Sequence, residues 1–267
     1  MQPDLPEILD EVQETGFCVV PDMLDPARLA RVRKAFGTAV EEMKRRGLVV
    51  FDPRLDPNPH NIRVNNLPDM DPVFIELLRD PNALAIARAL LGETALVSNF
   101  SANVALPGSA SMNLHSDQAL IVPEPWSECW VLNVIWCLDE VRPDNGGTLY
   151  LPGSHRFRRR EDVPADIGKA LRPFHAPAGA FIVMEGRLWH TSGVNVTKDE
   201  SRALLFALYG RNFVRQQMNW EALLSDGTKQ ALDKEMQALL GIGPLGNVYG
   251  VDLIMQSGYD LQSAEVL

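Results

Sequence analysis

The segment Gly146-Gly-Thr-Leu-Tyr-Leu-Pro-Gly-Ser-His155 says most about the fold of this 267-residue sequence. It contains a short β-type run, Thr148 to Leu151, between a Gly-Gly pair and a Pro-Gly turn, and both of these interrupt regular structure. The segment before it, Asn133-Val-Ile-Trp-Cys-Leu-Asp-Glu-Val141, begins with a β-type run as well. Two β-type runs joined by a turn-rich stretch predict antiparallel β structure rather than strands alternating with helices.

The same pattern extends outward across the middle of the chain. The β-type segments, separated by Pro, Gly and Asn turns, are Leu96 to Ala105, Cys129 to Leu138, Thr148 to Leu151, Ala180 to Met184 and Ala203 to Leu208. Strands at this spacing without intervening helices are typical of a sandwich or jelly roll. We therefore predict a mainly β fold with flanking helices.

Both flanks of this region have helical spacing of their apolar residues. The predicted helices are Leu5 to Glu14, Pro26 to Met43, Pro72 to Arg79, Pro81 to Leu91 and Glu221 to Leu240. The Pro-, Asn- and Asp-rich stretch Asp52 to Asn66 is expected to be a long loop of the kind that forms lids or binding elements. We expect one domain over 1–267, with a helical part and lid loop (1–93), a β core (94–215) and a helical part (216–267), the last ending in a Gly-rich tail from Gly241.

Composition and charge limit the classes of function. Hydrophobic residues make up 46% of the chain, which is enough for a sizeable core. A net charge of -10 disfavours binding to a phosphate backbone, so no nucleic-acid partner is expected. The sequence shows no secretory signal, no apolar run near the roughly 18 residues that span a bilayer, and no paired cysteine motif. These features predict a cytoplasmic protein without a membrane partner.

Four residues form the strongest chemical pattern in the sequence. His115 and Asp117 are two residues apart, so in an extended chain they lie on the same side. His190 follows 75 residues later, just after a predicted strand, and Arg202 opens the last β segment. Two imidazoles and one carboxylate are the facial triad of non-haem Fe(II) oxygenases. A buried arginine is suited to holding a carboxylate in bidentate fashion.

The pattern alone leaves other interpretations open. His115 can be a loop histidine capped by the neighbouring acid Asp117, and His190 can be a core histidine beside Trp189. The remaining histidines are better explained without a metal. His155 is expected to shape the Pro-Gly turn, whereas His60 and His175 are expected on the surface.

The sequence resembles the phytanoyl-CoA dioxygenase (PhyH) family. The resemblance is carried by the Gly146 to His155 block after the Asn133 to Val141 segment, and it covers most of the chain. It also includes Gly16-Phe-Cys-Val-Val-Pro-Asp-Met-Leu24, Leu90-Leu-Gly92, Leu114-His-Ser-Asp117 and Trp189-His190. Members are Fe(II)- and 2-oxoglutarate-dependent oxygenases, and the resemblance implies a double-stranded β-helix, a cupin-like jelly-roll core.

The resemblance also implies roles for individual residues. His115, Asp117 and His190 match the iron ligands, Arg202 matches the arginine that holds the distal carboxylate of 2-oxoglutarate, and Ser192 matches a hydroxyl that assists it. Three further positions match places where related enzymes contact the cosubstrate, or else satisfy a strand end or turn: Asn103, Asn113 and Thr148. Halogenating relatives carry a small residue in place of Asp117. The carboxylate therefore implies oxygen transfer, desaturation or ring formation, all of which use O₂.

Residues of the loop and of the barrel mouth are the candidates for substrate contact. They are Arg63, Asn65, Met112, Trp126 and Phe213. Arg63 is placed either to meet an acidic group of the substrate or to remain an exposed loop charge, and Met112 and Phe213 are also typical core residues. Without an evident cluster of Lys and Arg for CoA phosphates, we expect a small-molecule substrate, in particular a secondary metabolite.

Two other functions remain compatible with the sequence. One is a metal-binding jelly roll that senses or carries a ligand without turnover, although Arg202 would then have no cosubstrate to hold. The other is an inert β scaffold with interaction helices. The apolar spacing of the predicted helix Glu221 to Leu240 fits either closure of the barrel or a dimer contact, so both a monomer and a homodimer are expected alternatives.

Overall fold

A large antiparallel sheet is the central element of the computed structural model, which describes residues 4–47, 51–53 and 56–243. Its strand order is β1-β7-β4-β9-β3-β2. A smaller sheet has the order β6-β5-β8. The strands are β1 Phe17–Val20, β2 Asn61–Val64, β3 Leu96–Ala105, β4 Val131–Cys137, β5 Thr148–Tyr150, β6 Arg172–Pro173, β7 Phe181–Glu185, β8 His190–Ser192 and β9 Arg202–Gly210. This is the predicted jelly-roll architecture.

Alternation along the strands gives the large sheet two different faces. In β4, Val134 and Trp136 belong to the main apolar cluster, which also contains the buried residues of the helices. Ile135 and Cys137 point the other way, into a second apolar cluster that includes Phe174 next to the small sheet. Residues that share the second face are therefore positioned to line a space between the two sheets.

Three of the seven α-helices in the described part of the chain begin at Asp-Pro steps. The helices are α1 Leu5–Thr15, α2 Pro26–Arg45, α3 Pro72–Leu78, α4 Pro81–Leu91, α5 Trp220–Leu223, α6 Asp226–Ala231 and α7 Lys234–Leu239. The carboxylates of Asp25, Asp71 and Asp80 each accept a backbone N–H of the first turn, while the proline at the first helical position needs no partner for its nitrogen. Within the described ranges, none of these helices combines the length and the apolar character needed to cross a bilayer.

The C-terminal prediction was wrong in its detail. In place of one helix from Glu221 to Leu240 there are three short ones. The side chain of Ser225 caps α6 by accepting the N–H of Thr228, and that of Asp233 caps α7 by accepting the N–H of Met236. Each cap begins a new helix and turns the chain, although the apolar spacing alone fits one continuous helix. The predicted tail beyond Gly243 lies outside the described residues.

The predicted loop from Asp52 to Asn66 also contains a strand. β2 pairs with β3 at the edge of the large sheet, and Arg63 lies opposite Asn103. Residues 54 and 55 of the loop lie outside the description. The Pro- and Asn-rich surroundings obscure a strand of only four residues, whose pairing supplies its stability.

Candidate active site

Three side chains capable of binding a metal meet in the space between the two sheets. One potential ligand atom from each of His115, Asp117 and His190 lies within 4.8 Å of the others. The backbone brings the distant histidines together, because the N–H of His115 donates to the His190 carbonyl (3.0 Å) and the N–H of His190 to that of His115 (2.7 Å). Their ring centroids are 4.4 Å apart. Residues 75 positions apart thus form one cluster through a single antiparallel bridge.

Asp117 is placed by a turn instead of by an extended chain. It begins a short 3-10 helix that is capped by Ser116, whose hydroxyl accepts the N–H of Ala119. Asn133 donates from Nδ2 to Oδ2 of Asp117 (3.1 Å), while Oδ1 lies 3.9 Å from Nε2 of His190. The carboxylate is therefore held from behind, and its other oxygen faces the histidines.

Both imidazole rings are oriented in the same way. Nδ1 of His115 lies 2.9 Å from the carbonyl of Asn113, and Nδ1 of His190 lies 2.9 Å from the carbonyl of Leu188. A carbonyl oxygen only accepts, so these contacts assign the proton to Nδ1 and leave the Nε2 lone pair free. Burial, together with the nearby His115, lowers the pKa of His190 below its usual range, so this ring is neutral near pH 7, as a metal ligand must be.

Arg202 is a buried cation with few partners. It opens β9 with 1% of its surface exposed, and one terminal nitrogen donates to the carbonyl of Gly146. Its Nε is buried without a hydrogen-bond partner. Burial lowers the pKa of this guanidinium to about 10, which still leaves it charged at neutral pH. A buried charge normally has a counter-ion, and among the described residues no carboxylate forms a salt bridge with Arg202.

Glycine at position 146 allows this placement of Arg202. Its φ is +81°, and a Cβ there would lie 2.8 Å from Cβ of Ala105 and 3.6 Å from the guanidinium. A larger residue would both strain the backbone and fill space beside the cation. The Gly-Gly pair that marked this segment in the sequence thus has a direct structural reason.

A cleft of about 200 Å³ contains all of these groups. Nine of the residues singled out from the sequence line it: Arg63, Asn103, Met112, His115, Asp117, Thr148, His190, Ser192 and Arg202. Ser192 and Thr148 are directly opposite each other on β8 and β5. The hydroxyl of Ser192 accepts the N–H of Met112 (3.0 Å), so its own proton is available to a ligand.

Four other candidates lie elsewhere. Trp126 is fully buried outside the cleft lining, and its Nε1 donates to the carbonyl of Ile121 (2.8 Å). Phe213 is 65% exposed and packs edge-on against Trp130, outside the cleft. The exposed side chains of Asn65 and Asn113 do not line the cleft either, although the Asn113 carbonyl orients His115.

Several cleft residues were not singled out as candidates from the sequence. They are Asn99, Ser101, Asn133, Thr191, Phe206, Leu208 and Gln217. The sequence contains a signal for Asn99, Ser101 and Asn133. Asn99 and Ser101 alternate with the candidate Asn103 along β3, which places three polar side chains on the face toward the small sheet. Asn133 is a lone amide in the apolar strand β4.

The other three histidines lie away from the cluster of His115, Asp117 and His190. His155 is buried, and its ring packs against Gly16 at the end of α1, where a Cβ would come within 2.8 Å of it. His60 and His175 are exposed. None of the three belongs to a cluster of potential metal ligands within the described residues.

Comparisons with known proteins agree with this architecture. The phytanoyl-CoA dioxygenase (PhyH) family model matches residues 12–204. Dioxygenase af480 from Aspergillus fumigatus is 44% identical over 242 residues, which are 91% of this chain and 78% of that protein.

Two crystal structures share the fold at low sequence identity. HygX from Streptomyces hygroscopicus, with nickel and 2-oxoglutarate bound, has a TM-score of 0.63 at 20% identity, covering 79% of this chain and 88% of its own. SnoK, a non-heme alpha ketoglutarate dependent carbocyclase from nogalamycin biosynthesis, has a TM-score of 0.63 at 20% identity, covering 81% and 88%. The family match over most of the chain and the 44% identical dioxygenase establish that this chain belongs to the phytanoyl-CoA dioxygenase (PhyH) family.

Proposed function

We propose that this PhyH family member is a dioxygenase that uses Fe(II) and 2-oxoglutarate to oxidise an unactivated C–H bond of a small molecule, in particular a secondary metabolite. The observation that carries the proposal is the meeting of His115, Asp117 and His190 in a cleft that also contains the buried Arg202. The family match and the 44% identical dioxygenase support the reaction class.

The donor set fits ferrous iron. Two neutral imidazole nitrogens and one carboxylate oxygen are the ligands of the facial triad, which leaves coordination positions open for other molecules. Bound there, iron would supply the oxidising power for C–H bond cleavage, with 2-oxoglutarate and O₂ as its co-reactants. The protein's contribution is to orient the ligands: Asn133 fixes the rotamer of Asp117, and the carbonyls of Asn113 and Leu188 fix the two rings.

The same cleft offers a place for the cosubstrate. The guanidinium of Arg202 is desolvated and forms no salt bridge with a carboxylate of the described residues, and a carboxylate is the partner that such a fork accepts best. We assign the distal carboxylate of 2-oxoglutarate to Arg202, with the free proton of Ser192 as a second donor. Thr148, opposite Ser192, and Asn103, whose Nδ2 is buried without a partner, complete the polar lining.

Relatives support a substrate from secondary metabolism. SnoK takes part in nogalamycin biosynthesis, and a crystal structure of HygX contains hygromycin B. The carboxylate at position 117 occupies the place where the resemblance expects a small residue in a halogenating enzyme. Hydroxylation, desaturation and cyclisation remain the outcomes to be separated by product analysis.

Aerobic turnover of 2-oxoglutarate tests this function. Purified protein with Fe(II), ascorbate and a library of natural-product scaffolds should release succinate with one or more scaffolds, and His115→Ala should abolish the release. Asp233→Asn is a control, because Asp233 forms an exposed ion pair with Arg79 and neither residue lines the cleft. Metal binding without any turnover of 2-oxoglutarate would contradict the proposal and favour a carrier or sensor.

A further inference from the structure

The cleft has two ends, which lie at different levels along the paired strands β3 and β9. Arg202 of β9 lies opposite Ala105, whereas Leu208 lies opposite Asn99. Six residues of strand separate the two levels, roughly 20 Å. A short diacid held by Arg202 does not reach the Asn99 end. If the proposed function holds, that end is left for the substrate.

The described residues that line the Asn99 end carry no charge. Asn99 donates from Nδ2 to Oε1 of Gln217 (3.0 Å), and Ser101 follows on the same face of β3. Phe206 and Leu208 supply the apolar surface from β9. Such a lining offers neutral hydrogen-bonding groups and hydrophobic contact, but it has no counter-ion for a charged ligand.

Among the described residues that line the cleft, Arg63 is the one other charged side chain besides Arg202 and Asp117, and its charge is already matched. Its Nε donates to both carboxylate oxygens of Asp56, at 2.9 and 2.8 Å. The Asp56 side chain is fully buried, and that of Arg63 is 20% exposed, so this ion pair is shielded from water. The sequence left open an acidic group of the substrate as the partner of Arg63, but the protein itself provides that acid.

The remaining charges also balance when the site is loaded. The two positive charges of ferrous iron and the one of Arg202 equal the one negative charge of Asp117 and the two of 2-oxoglutarate, since metal-bound histidines are neutral. A charged substrate would therefore lose its hydration without gaining a counter-ion, which is unfavourable. We propose that the substrate is an uncharged molecule, an apolar skeleton with neutral oxygen or nitrogen groups, and not a carboxylate, a phosphate ester or an amine.

Matched probes test the inference on the loaded protein. The protein is given Fe(II) and 2-oxoglutarate without oxygen, and cyclohexanecarboxamide, cyclohexanecarboxylate and cyclohexylammonium are titrated while the iron-2-oxoglutarate absorption band is followed. The carboxamide should perturb the band at a concentration at least about tenfold lower than either ion. Equal or stronger binding of an ion, or no binding by the carboxamide, would overturn the inference.

Variants of the Arg63–Asp56 ion pair test whether this pair causes the preference for an uncharged probe. Asp56→Asn leaves Arg63 without a counter-ion and should shift the preference toward the carboxylate by about tenfold or more. Asp56→Asn combined with Arg63→Gln should restore the preference for the carboxamide. Asp233→Asn makes the same change in net charge at an exposed ion pair and should change nothing, since asparagine also caps α7.

A second variant and the absorption band itself make the result interpretable in two further cases. If Asp56→Asn does not fold, Arg63→Gln alone should shift the preference toward cyclohexylammonium, and an unchanged preference in either single variant contradicts the proposed charge balance. The band itself reports on the proposed function. Its absence from the wild-type protein would refute binding of iron and 2-oxoglutarate, whereas a normal band with preferred binding of an ion refutes only the uncharged substrate.

Discussion

Replacing Arg202 with methionine is expected to weaken cosubstrate binding without lowering the stability of the ligand-free protein. Arg202 is 1% exposed, and burial lowers the pKa of its guanidinium from 12.5 to about 10. That shift corresponds to about 3 kcal/mol of penalty on the charged form. Methionine removes this penalty and loses a hydrogen bond to the Gly146 carbonyl worth about 1–3 kcal/mol. The free energy of unfolding without ligands should therefore stay within about 1 kcal/mol of wild type or increase.

The affinity for 2-oxoglutarate, unlike the stability, should fall strongly in the Arg202→Met variant. Truncating one partner of a buried charge pair costs about 2–5 kcal/mol. With a tenfold change for about every 1.4 kcal/mol, Arg202→Met should weaken 2-oxoglutarate binding by about 30-fold to several thousand-fold. Calorimetric titration with Fe(II) under anaerobic conditions gives the affinity, and urea denaturation gives the stability.

A second arginine, whose side chain is 16% exposed, provides the contrast. Arg187 donates from Nε to Oε1 of Glu185 (2.9 Å), and burial raises the pKa of that carboxyl group. Arg187→Met leaves a buried acid without its partner and should destabilise the fold by about 3–5 kcal/mol. If Arg202→Met instead destabilises the ligand-free protein as much as Arg187→Met does, and 2-oxoglutarate affinity is unchanged, then Arg202 is a structural residue and our assignment is wrong.

Three further changes test separate parts of the account. Asn133→Ala removes the donor that holds Asp117 and should weaken Fe(II) binding by about 10- to 100-fold in a chelator competition, while the unfolding free energy shows whether the fold is intact. Gly146→Ala should lower the melting temperature, because its Cβ would lie 2.8 Å from that of Ala105 at a φ of +81°; an unchanged melting temperature would contradict this. Burial and the hydrogen bond to Glu11 raise the pKa of the Cys18 thiol from 9.0 to about 12, so its stabilisation is complete below pH 9 and is lost as the pH rises toward 12. The unfolding free energy of wild type minus that of Cys18→Ala should fall by about 2 kcal/mol between pH 8 and 10.5, and a constant difference would contradict the burial of the thiol.

Short-range patterns made most of the architecture predictable. The five β segments of the core and the Asp-Pro helix start at residue 25 follow from alternation and capping, which depend on neighbouring residues. The early H-x-D pair and the late histidine were identifiable because few residue types bind metals and the chain has only five histidines.

Long-range contacts explain what the sequence did not show. The bridge between His115 and His190 and the three-residue strand β8 exist only through pairing across the fold. The burial of Trp126 depends on residues far along the chain, including Leu151 and Trp189, and a Pro-rich segment alone does not reveal it. The pairing of Arg63 with Asp56 determines whether a charge is available to a ligand, and composition does not reveal it.

The central claim is that His115, Asp117 and His190 hold one ferrous ion to which 2-oxoglutarate binds. The most direct measurement is an anaerobic titration of Fe(II) and 2-oxoglutarate into wild type and His190→Ala, followed through the iron-2-oxoglutarate absorption band. We expect the band in wild type to saturate at one iron and one 2-oxoglutarate per chain, and we expect it to be absent from the variant. A wild-type protein without the band, or a variant that retains it, would contradict the account.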